Sequence, residues 1–133
     1  MNRSLLLCAL AGLTLAGCAT PPPTVAVGSS YRVTWIGEQP VRDGGYIAIT
    51  FDEDDRAFGT GGCNHWFAGY GIEGPIMRFS KVGSTHRVCS DEAMAQEQAF
   101  FDALRQVRRW DRSQLDELRL WPDTGKPIRL QPE

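Results

Sequence analysis

Residues 58–70 read FGTGGCNHWFAGY, and this segment says more about the fold than any other part of the chain. Glycine at positions 59, 61 and 62 indicates a turn or a close approach of two backbones. The flanking residues, 56–60 and 66–70, form short runs with aromatic side chains that are typical of β-strands. The segment therefore predicts two strands joined by a glycine-rich turn, and Cys63 lies in that turn.

A second polar segment, THRVC at residues 85–89, ends at Cys89. Each cysteine has a histidine within three positions, His65 after Cys63 and His86 before Cys89. Two sulfurs and two imidazoles are the number of ligands that tetrahedral zinc takes, and Cys89 with His86 could also serve as nucleophile and base. The spacings match no usual zinc finger, and the sequence shows no third catalytic group or oxyanion donor. A disulfide, two free structural thiols and a metal or redox site are the three interpretations to separate.

The N-terminus has the features of a bacterial secretory signal. Arg3 supplies a positive charge, and the apolar run from residue 5 to residue 15 is too short to span a bilayer, which takes about 20 apolar residues. Residues 15–18 read LAGC, which resembles the lipobox of bacterial lipoproteins. In proteins of that type the cysteine receives a diacylglyceryl group, is freed by cleavage before it and is then acylated at its new N-terminus. We therefore expect residues 1–17 to be a signal peptide and Cys18 to be the lipidation site.

Lipidation would attach the mature protein to a membrane, because each buried CH₂ contributes about 0.8 kcal/mol and two or more acyl chains give stable anchoring. Ala19 follows Cys18, whereas aspartate at that position commonly signals inner-membrane retention in Gram-negative lipoproteins. For a Gram-negative host we expect an outer-membrane anchor with the folded domain in the periplasm. Residues 18–29 contain three consecutive prolines and are predicted to form a stiff, extended tether.

This location favours a disulfide between Cys63 and Cys89, because a secreted domain with two remaining cysteines normally pairs them. Closing a loop of about 25 residues would stabilise the fold by roughly 3–3.5 kcal/mol, less any native strain. Free structural thiols and a metal or redox site remain as alternatives.

Composition and motifs argue against several classes of protein. The formal net charge is −2, and charges of both signs are interspersed without a basic stripe, so nucleic acid and anionic lipid are poor partners. The sequence contains no Gly-x-Ser-x-Gly, His-Glu-x-x-His or phosphate-binding-loop motif. We therefore expect no catalytic residue, no cofactor, no metal and a protein that is not an enzyme.

The apolar period changes after Cys89 from that of strands to that of a helix. Ser90 is a good N-cap, and an apolar stripe with helical spacing continues through Val107. Arg108 and Arg109 suit the C-terminal end of this helix. Strands are predicted on both sides of it, at residues 31–36, 46–51, 56–60, 66–70, 76–79, 115–121 and 127–130.

These elements predict one α+β domain over residues 30–133. Its architecture is a curved, mostly antiparallel sheet of about six to eight strands with one long helix packed against it.

Five short motifs follow one another along the chain: GCN at residues 62–64, GY at 69–70, THRVC at 85–89, EAM at 92–94 and Glu97. Their order resembles the META domain, the family of HslJ-like heat-shock lipoproteins. The resemblance covers about residues 30–131; Val88, Ser90 and His86 depart from residues that are common in the family. It implies a small mixed α/β domain in secreted or envelope proteins, with links to stress and antibiotic tolerance and no agreed catalytic residues.

These observations lead us to expect an outer-membrane lipoprotein with a non-catalytic role in envelope maintenance or stress tolerance, acting by binding an unidentified partner. A small-molecule or inhibitor-type binding module is the alternative, with His65, Trp66, Tyr70 and His86 as candidate binding residues. A metal or thiol enzyme that uses Cys63, Cys89 and the two histidines is the third hypothesis.

Overall fold

The computed structural model describes residues 17–133, so the predicted signal peptide lies outside the described residues except for Gly17. Within residues 17–133 no helix has the length and apolar character needed to cross a membrane. The domain consists of β1 (Ser30–Ile36), β2 (Gln39–Pro40), β3 (Ala48–Phe51), β4 (Arg56–Thr60), β5 (His65–Glu73), β6 (Ile76–Ser84), α1 (Asp91–Gln106), β7 (Val107–Arg112), β8 (Leu118–Pro122) and β9 (Ile128–Pro132).

The antiparallel sheet closes on itself, because the first long strand pairs with the last. Val33 of β1 lies opposite Leu130 of β9, and Ile36 lies opposite Ile128. Eight strands form the resulting barrel, and β2 is an additional strand that pairs with β1 alone. The expectation of a mostly antiparallel sheet with one helix is confirmed, but the expectation of an open curved sheet is wrong. Closure pairs the two free edges of the sheet with each other, and unpaired edges invite aggregation.

The helix ends one residue earlier than expected, and a strand follows it directly. Val107 has extended backbone angles, φ −60° and ψ 131°, and its side chain is buried. Arg108 and Arg109 consequently lie in β7 and not at the C-terminal end of the helix, which corrects the sequence prediction. The predicted N-cap is present, since the Ser90 side chain accepts a hydrogen bond from the backbone N–H of Ala93.

The core fills the inside of the barrel with alternate side chains of each strand, as the two-residue period of a strand requires. In β5, for example, Trp66 and Ala68 point inward, whereas Phe67 between them is exposed. Phe100 and Leu104 of α1 are fully buried, and the Phe100 ring contacts Trp66 edge-on at 5.5 Å between centroids. The helix thus contributes one side of the same core.

Helix α1 lies across the end of the barrel where β1 finishes and β3 begins. Its Gln96 side chain accepts a hydrogen bond from the backbone of Arg42, just before β3. The same helix borders a small cavity together with Ile36, the last residue of β1, and Ile128, the first residue of β9. We call this the helical end of the barrel.

Residues ahead of β1 cross the opposite end. Gly28 N–H donates to the Phe51 carbonyl at 2.7 Å, and Arg112 Nη2 donates to the Thr24 carbonyl at 2.9 Å. Phe51 is the last residue of β3, which begins at the helical end, and Arg112 is the last residue of β7, which follows α1 directly. Both residues therefore lie at the end of the barrel away from α1. Cys18 is exposed and precedes these contacts in the chain. The N-terminal segment therefore leaves the domain on the side away from the helical end.

Candidate functional site

The glycine-rich turn between β4 and β5 is joined to the start of α1 by a disulfide. Cys63 and Cys89 are bonded, with their Cα atoms 6.0 Å apart. Both sulfurs are thus committed, and neither is available as a metal-binding or nucleophilic thiolate. Among residues 17–133, no group of three or more His, Cys, Asp or Glu side chains is placed to hold a metal ion.

A buried carboxylate fastens the same turn to the helix. Glu97 of α1 is only 5% exposed, and its Oε2 accepts the backbone N–H groups of Cys63 at 3.0 Å and Asn64 at 2.6 Å. Its Oε1 accepts Asn64 Nδ2 at 2.7 Å. Hydrogen bonds to an ionised carboxylate are stronger than neutral ones, so three of them offset the cost of burying the charge. Gly61 allows the close approach, because a Cβ there would lie 2.6 Å from Glu97 Oε2.

Asn64 extends this network to the segment that precedes the helix. Its Oδ1 accepts Thr85 Oγ1 at 2.9 Å and the backbone N–H of Arg87 at 2.6 Å. One side chain therefore binds the turn, the helix and residues 85–87 together. The motif residues Gly61, Asn64, Thr85 and Glu97 have a structural role, which is to hold these three segments in register.

The four candidate binding residues do not form one site. Trp66 is 1% exposed and its Nε1 donates to the Ala48 carbonyl, so this candidate binding residue lies in the core and not on the surface. Tyr70 is half-buried and its hydroxyl donates to the Asp52 carbonyl in the loop after β3, away from the helical end. Burial raises the pKa of Tyr70, and the nearby Asp55 and Asp52 raise it further. His65 and His86 are both exposed, and of the two His86 lines a groove beside the helix.

That groove runs between α1 and the end of β6, and we call it the α1–β6 groove. It has a volume of about 540 Å³. One wall consists of residues 82–88, and Phe67 of β5 also lines the groove. The other wall is one face of the helix, with residues at intervals of three or four positions: Met94, Glu97, Gln98, Phe101 and Arg105.

The α1–β6 groove combines exposed apolar side chains with positive charge. Val88 is 87% exposed, Phe67 56% and Met94 39%. Arg105 Nη1 lies 3.0 Å from Asp102, whereas Arg87 has no carboxylate partner within ion-pair distance among residues 17–133. The carboxylate of Glu97, which also borders the groove, is already bound by three N–H donors. The rim is therefore electropositive over an apolar surface.

Sequence reasoning missed the groove residues Phe67, Val88 and Arg87, although one signal was present. In a strand whose Trp66 and Ala68 face inward, Phe67 must face outward, and an outward aromatic is an unusual use of a large apolar side chain. Arg87 and Val88 carry no such pattern, because their exposure depends on where Asn64 fixes the main chain.

Comparison with known proteins identifies the family and the fold. The profile of the META domain matches residues 24–133. An NMR structure of a protein from Burkholderia xenovorans superposes with a TM-score of 0.69 at 19% identity, covering 86% of this chain and 93% of that one. A second protein structure solved by NMR superposes with a TM-score of 0.62 at 14% identity, covering 78% of this chain and 88% of that one. No curated protein matches the sequence. At these identities the two structures share the fold.

Proposed function

The chain belongs to the META domain family, and on that premise we propose that it is a non-catalytic binding protein of the bacterial envelope, anchored to the outer membrane through lipid on Cys18. Its α1–β6 groove holds a partner, and this binding supports tolerance of envelope stress.

The observation that carries the proposal is the cluster of Phe67, Val88 and Met94 around one groove. Large apolar side chains exposed singly are ordinary, but a contiguous group with a polar rim is typical of an interaction surface. Here the rim includes Arg87, which has no partner within ion-pair distance among the described residues. Binding would bury the three apolar side chains and give Arg87 a partner.

The position of Cys18 supports a lipid anchor. The residues that follow it are held against the end of the barrel opposite α1 by the contacts of Thr24 and Gly28. A membrane attached at Cys18 would lie on that side, so the α1–β6 groove would face away from the lipid and remain accessible.

A non-catalytic role is supported by the way the reactive groups are used. The two cysteine sulfurs are bonded to each other, and the Glu97 carboxylate and the Asn64 amide are bound within the turn network. These are structural uses. Among the described residues that line the groove, the titratable side chains besides Glu97 are those of His86, Arg87 and Arg105.

Small-molecule binding is the second candidate, and one observation favours it. The groove volume of about 540 Å³ lies within the range of roughly 300–1,000 Å³ that is common for small-molecule sites.

The proposal is tested in cells that carry the gene with single substitutions. Cys18→Ala should move the protein out of the membrane fraction, because no acyl chain can be attached. Val88→Glu should leave the protein anchored and folded but reduce survival in SDS with EDTA. Leu115→Glu is the matched control, because Leu115 is 86% exposed and Val88 is 87% exposed. Cells that carry Leu115→Glu should survive like cells with the wild-type protein. Membrane retention of the Cys18→Ala protein, or full tolerance with Val88→Glu, would refute the proposal.

A further inference from the structure

Strand β6 has an edge that lacks a strand partner over most of its length, and helix α1 contacts this strand across the groove. It pairs with β5 at seven positions from Ile76 to Ser84, but with β7 only at Ile76 opposite Arg109. Among the described residues, the stretch from Met77 to Ser84 therefore has no strand partner on its second side. An open strand edge presents backbone N–H and C=O groups that an added chain can pair with.

A bulge divides this edge into two parts. The register between β5 and β6 shifts between Phe67 and Gly69, and Lys81 has a positive φ of 51°. The exposed Lys81 and the bulge protect the first part of the edge, as charges and bulges commonly do. The second part, from Val82 onward, is the wall of the α1–β6 groove and faces the helix.

A strand edge opposite a helix face is suited to an extended peptide. The peptide pairs its main chain with the strand, and its alternate side chains fall between strand and helix. In this protein those side chains would meet Phe67, Val88 and Met94, while the outward ones would pass Arg87 and Arg105.

We propose that the occupant of the α1–β6 groove is an extended acidic polypeptide segment, with apolar and acidic side chains in alternation, that adds to the open edge of β6 as a strand. This inference rests on the proposed function and specifies its partner. The acidic character follows from charge complementarity, because Arg87 borders the groove without a carboxylate partner among the described residues. Glu97, the one carboxylate among the described residues that line the groove, is buried and already bound by three N–H donors.

Other occupants are less consistent with the geometry. The N-terminal segment of the same chain lies at the opposite end of the barrel, where Thr24 and Gly28 are bonded. A second copy of the chain would bring Arg87 and Arg105 close to the same two side chains of its partner, and like charges repel across an interface.

The test uses the purified full-length domain after Cys18 and three fluorescein-labelled octapeptides. The first alternates valine and glutamate, the second alternates valine and lysine, and the third has the first sequence with every second backbone nitrogen methylated. We expect the first peptide to bind at least about tenfold more tightly than the other two, because the lysine peptide reverses the charge and the methylated peptide loses main-chain hydrogen bonds. Hydrogen exchange of the amides of residues 82–88 should slow when the first peptide binds.

Two variants locate the interaction. Arg87→Glu should lower the affinity for the glutamate peptide about tenfold. Arg78→Glu changes an exposed arginine of the same strand that does not line the groove, and it should have no effect. The inference would be overturned if the methylated peptide or the lysine peptide bound as tightly as the first peptide. It would also be overturned if the protein self-associated and Val88→Glu abolished that self-association. If the glutamate peptide fails to bind while Val88→Glu still removes stress tolerance, the inference is wrong and the proposed function stands. If Val88→Glu keeps full tolerance, the proposed function is wrong as well.

Discussion

Glu97 binds Asn64 twice, through its Oε2 to the backbone N–H at 2.6 Å and through its Oε1 to the side-chain Nδ2 at 2.7 Å. Asn64 in turn accepts the backbone N–H of Arg87, which lies in the strand-side wall of the α1–β6 groove. The two walls of the groove are thus held in register by a single buried pair. The sequence motif around Cys63 builds the groove and does not itself line a reactive site.

Loss of charge at Glu97 should destabilise the domain. In Glu97→Gln one oxygen can still accept backbone N–H groups, but the amide NH₂ then faces the NH₂ of Asn64. We expect the free energy of unfolding in urea to fall by about 2 kcal/mol. Glu92→Gln, on the exposed face of the same helix, is the control and should cost less than about 1 kcal/mol. Equal effects of the two substitutions would show that the buried network is unimportant.

Position 61 should tolerate only glycine because the Glu97 side chain occupies the space that a Cβ would need. Gly61→Ala places a Cβ 2.6 Å from Glu97 Oε2 and should destabilise the domain, whereas Gly71→Ala meets nothing within 4 Å and should be close to neutral. Shortening the partner in Glu97→Ala makes room for the methyl group. A double-mutant cycle of Gly61→Ala and Glu97→Ala should therefore give a coupling of about 1 kcal/mol or more. Additive effects would contradict this account.

The disulfide should supply a large share of the stability. Cys63 and Cys89 are 26 positions apart, and closing a loop of that length is worth about 3.5 kcal/mol on the chain-entropy estimate. Cys63→Ala with Cys89→Ala should lower the urea midpoint accordingly, and the wild type with reductant should behave like the double variant. An unfolding curve that is unchanged by reductant would mean that the bond does not stabilise the fold.

The stability should depend on pH through Asp111. Its carboxylate accepts Arg119 Nε at 2.6 Å and Nη2 at 2.9 Å. Partial burial would raise the pKa of Asp111, but the bonds from Arg119 and the positive charges of Arg119 and Arg109 outweigh it and hold the pKa below 3.8. A pKa that is lower in the folded state stabilises the protein above the unfolded pKa, and this contribution is lost as the pH falls through the folded-state value.

Asp111→Asn should therefore reduce the free energy of unfolding near neutral pH and have little effect at about pH 2. Urea unfolding at both pH values checks this. Asp43→Asn, at an exposed position in the turn before β3, serves as the control and should show no such difference. A loss of stability that is the same at both pH values would argue against a charge effect at Asp111.

Local patterns were sufficient to predict much of the fold. The Ser90 cap and the helical stripe located α1, and alternation located most strands. Closure of the barrel could not be predicted in the same way, since the pairing of Val33 with Leu130 joins the two ends of the domain and leaves no local signal. Strand β7 was missed because Arg108 and Arg109 suit the end of a helix as well as an exposed strand face.

The sequence predicted the residues that hold the candidate site together, but not the residues that line the groove. Cys63, Asn64 and Glu97 carry the family pattern, and they are buried together. Trp66 was a candidate binding residue and lies in the core, because an aromatic residue next to a turn can face either side of a strand and the strand register decides which. The open edge of β6 depends on the single pairing of Ile76 with Arg109, which no sequence pattern indicates.

The central claim is that the α1–β6 groove binds a partner, and photo-crosslinking in living cells tests it most directly. The photoreactive amino acid p-benzoylphenylalanine is placed at position 88, and in a second strain at position 115, which is equally exposed but lies outside the groove. We predict a discrete crosslinked product from position 88 that disappears when Arg87→Glu is added, and no such product from position 115. The absence of a product at position 88, or the same products at both positions, would contradict the account.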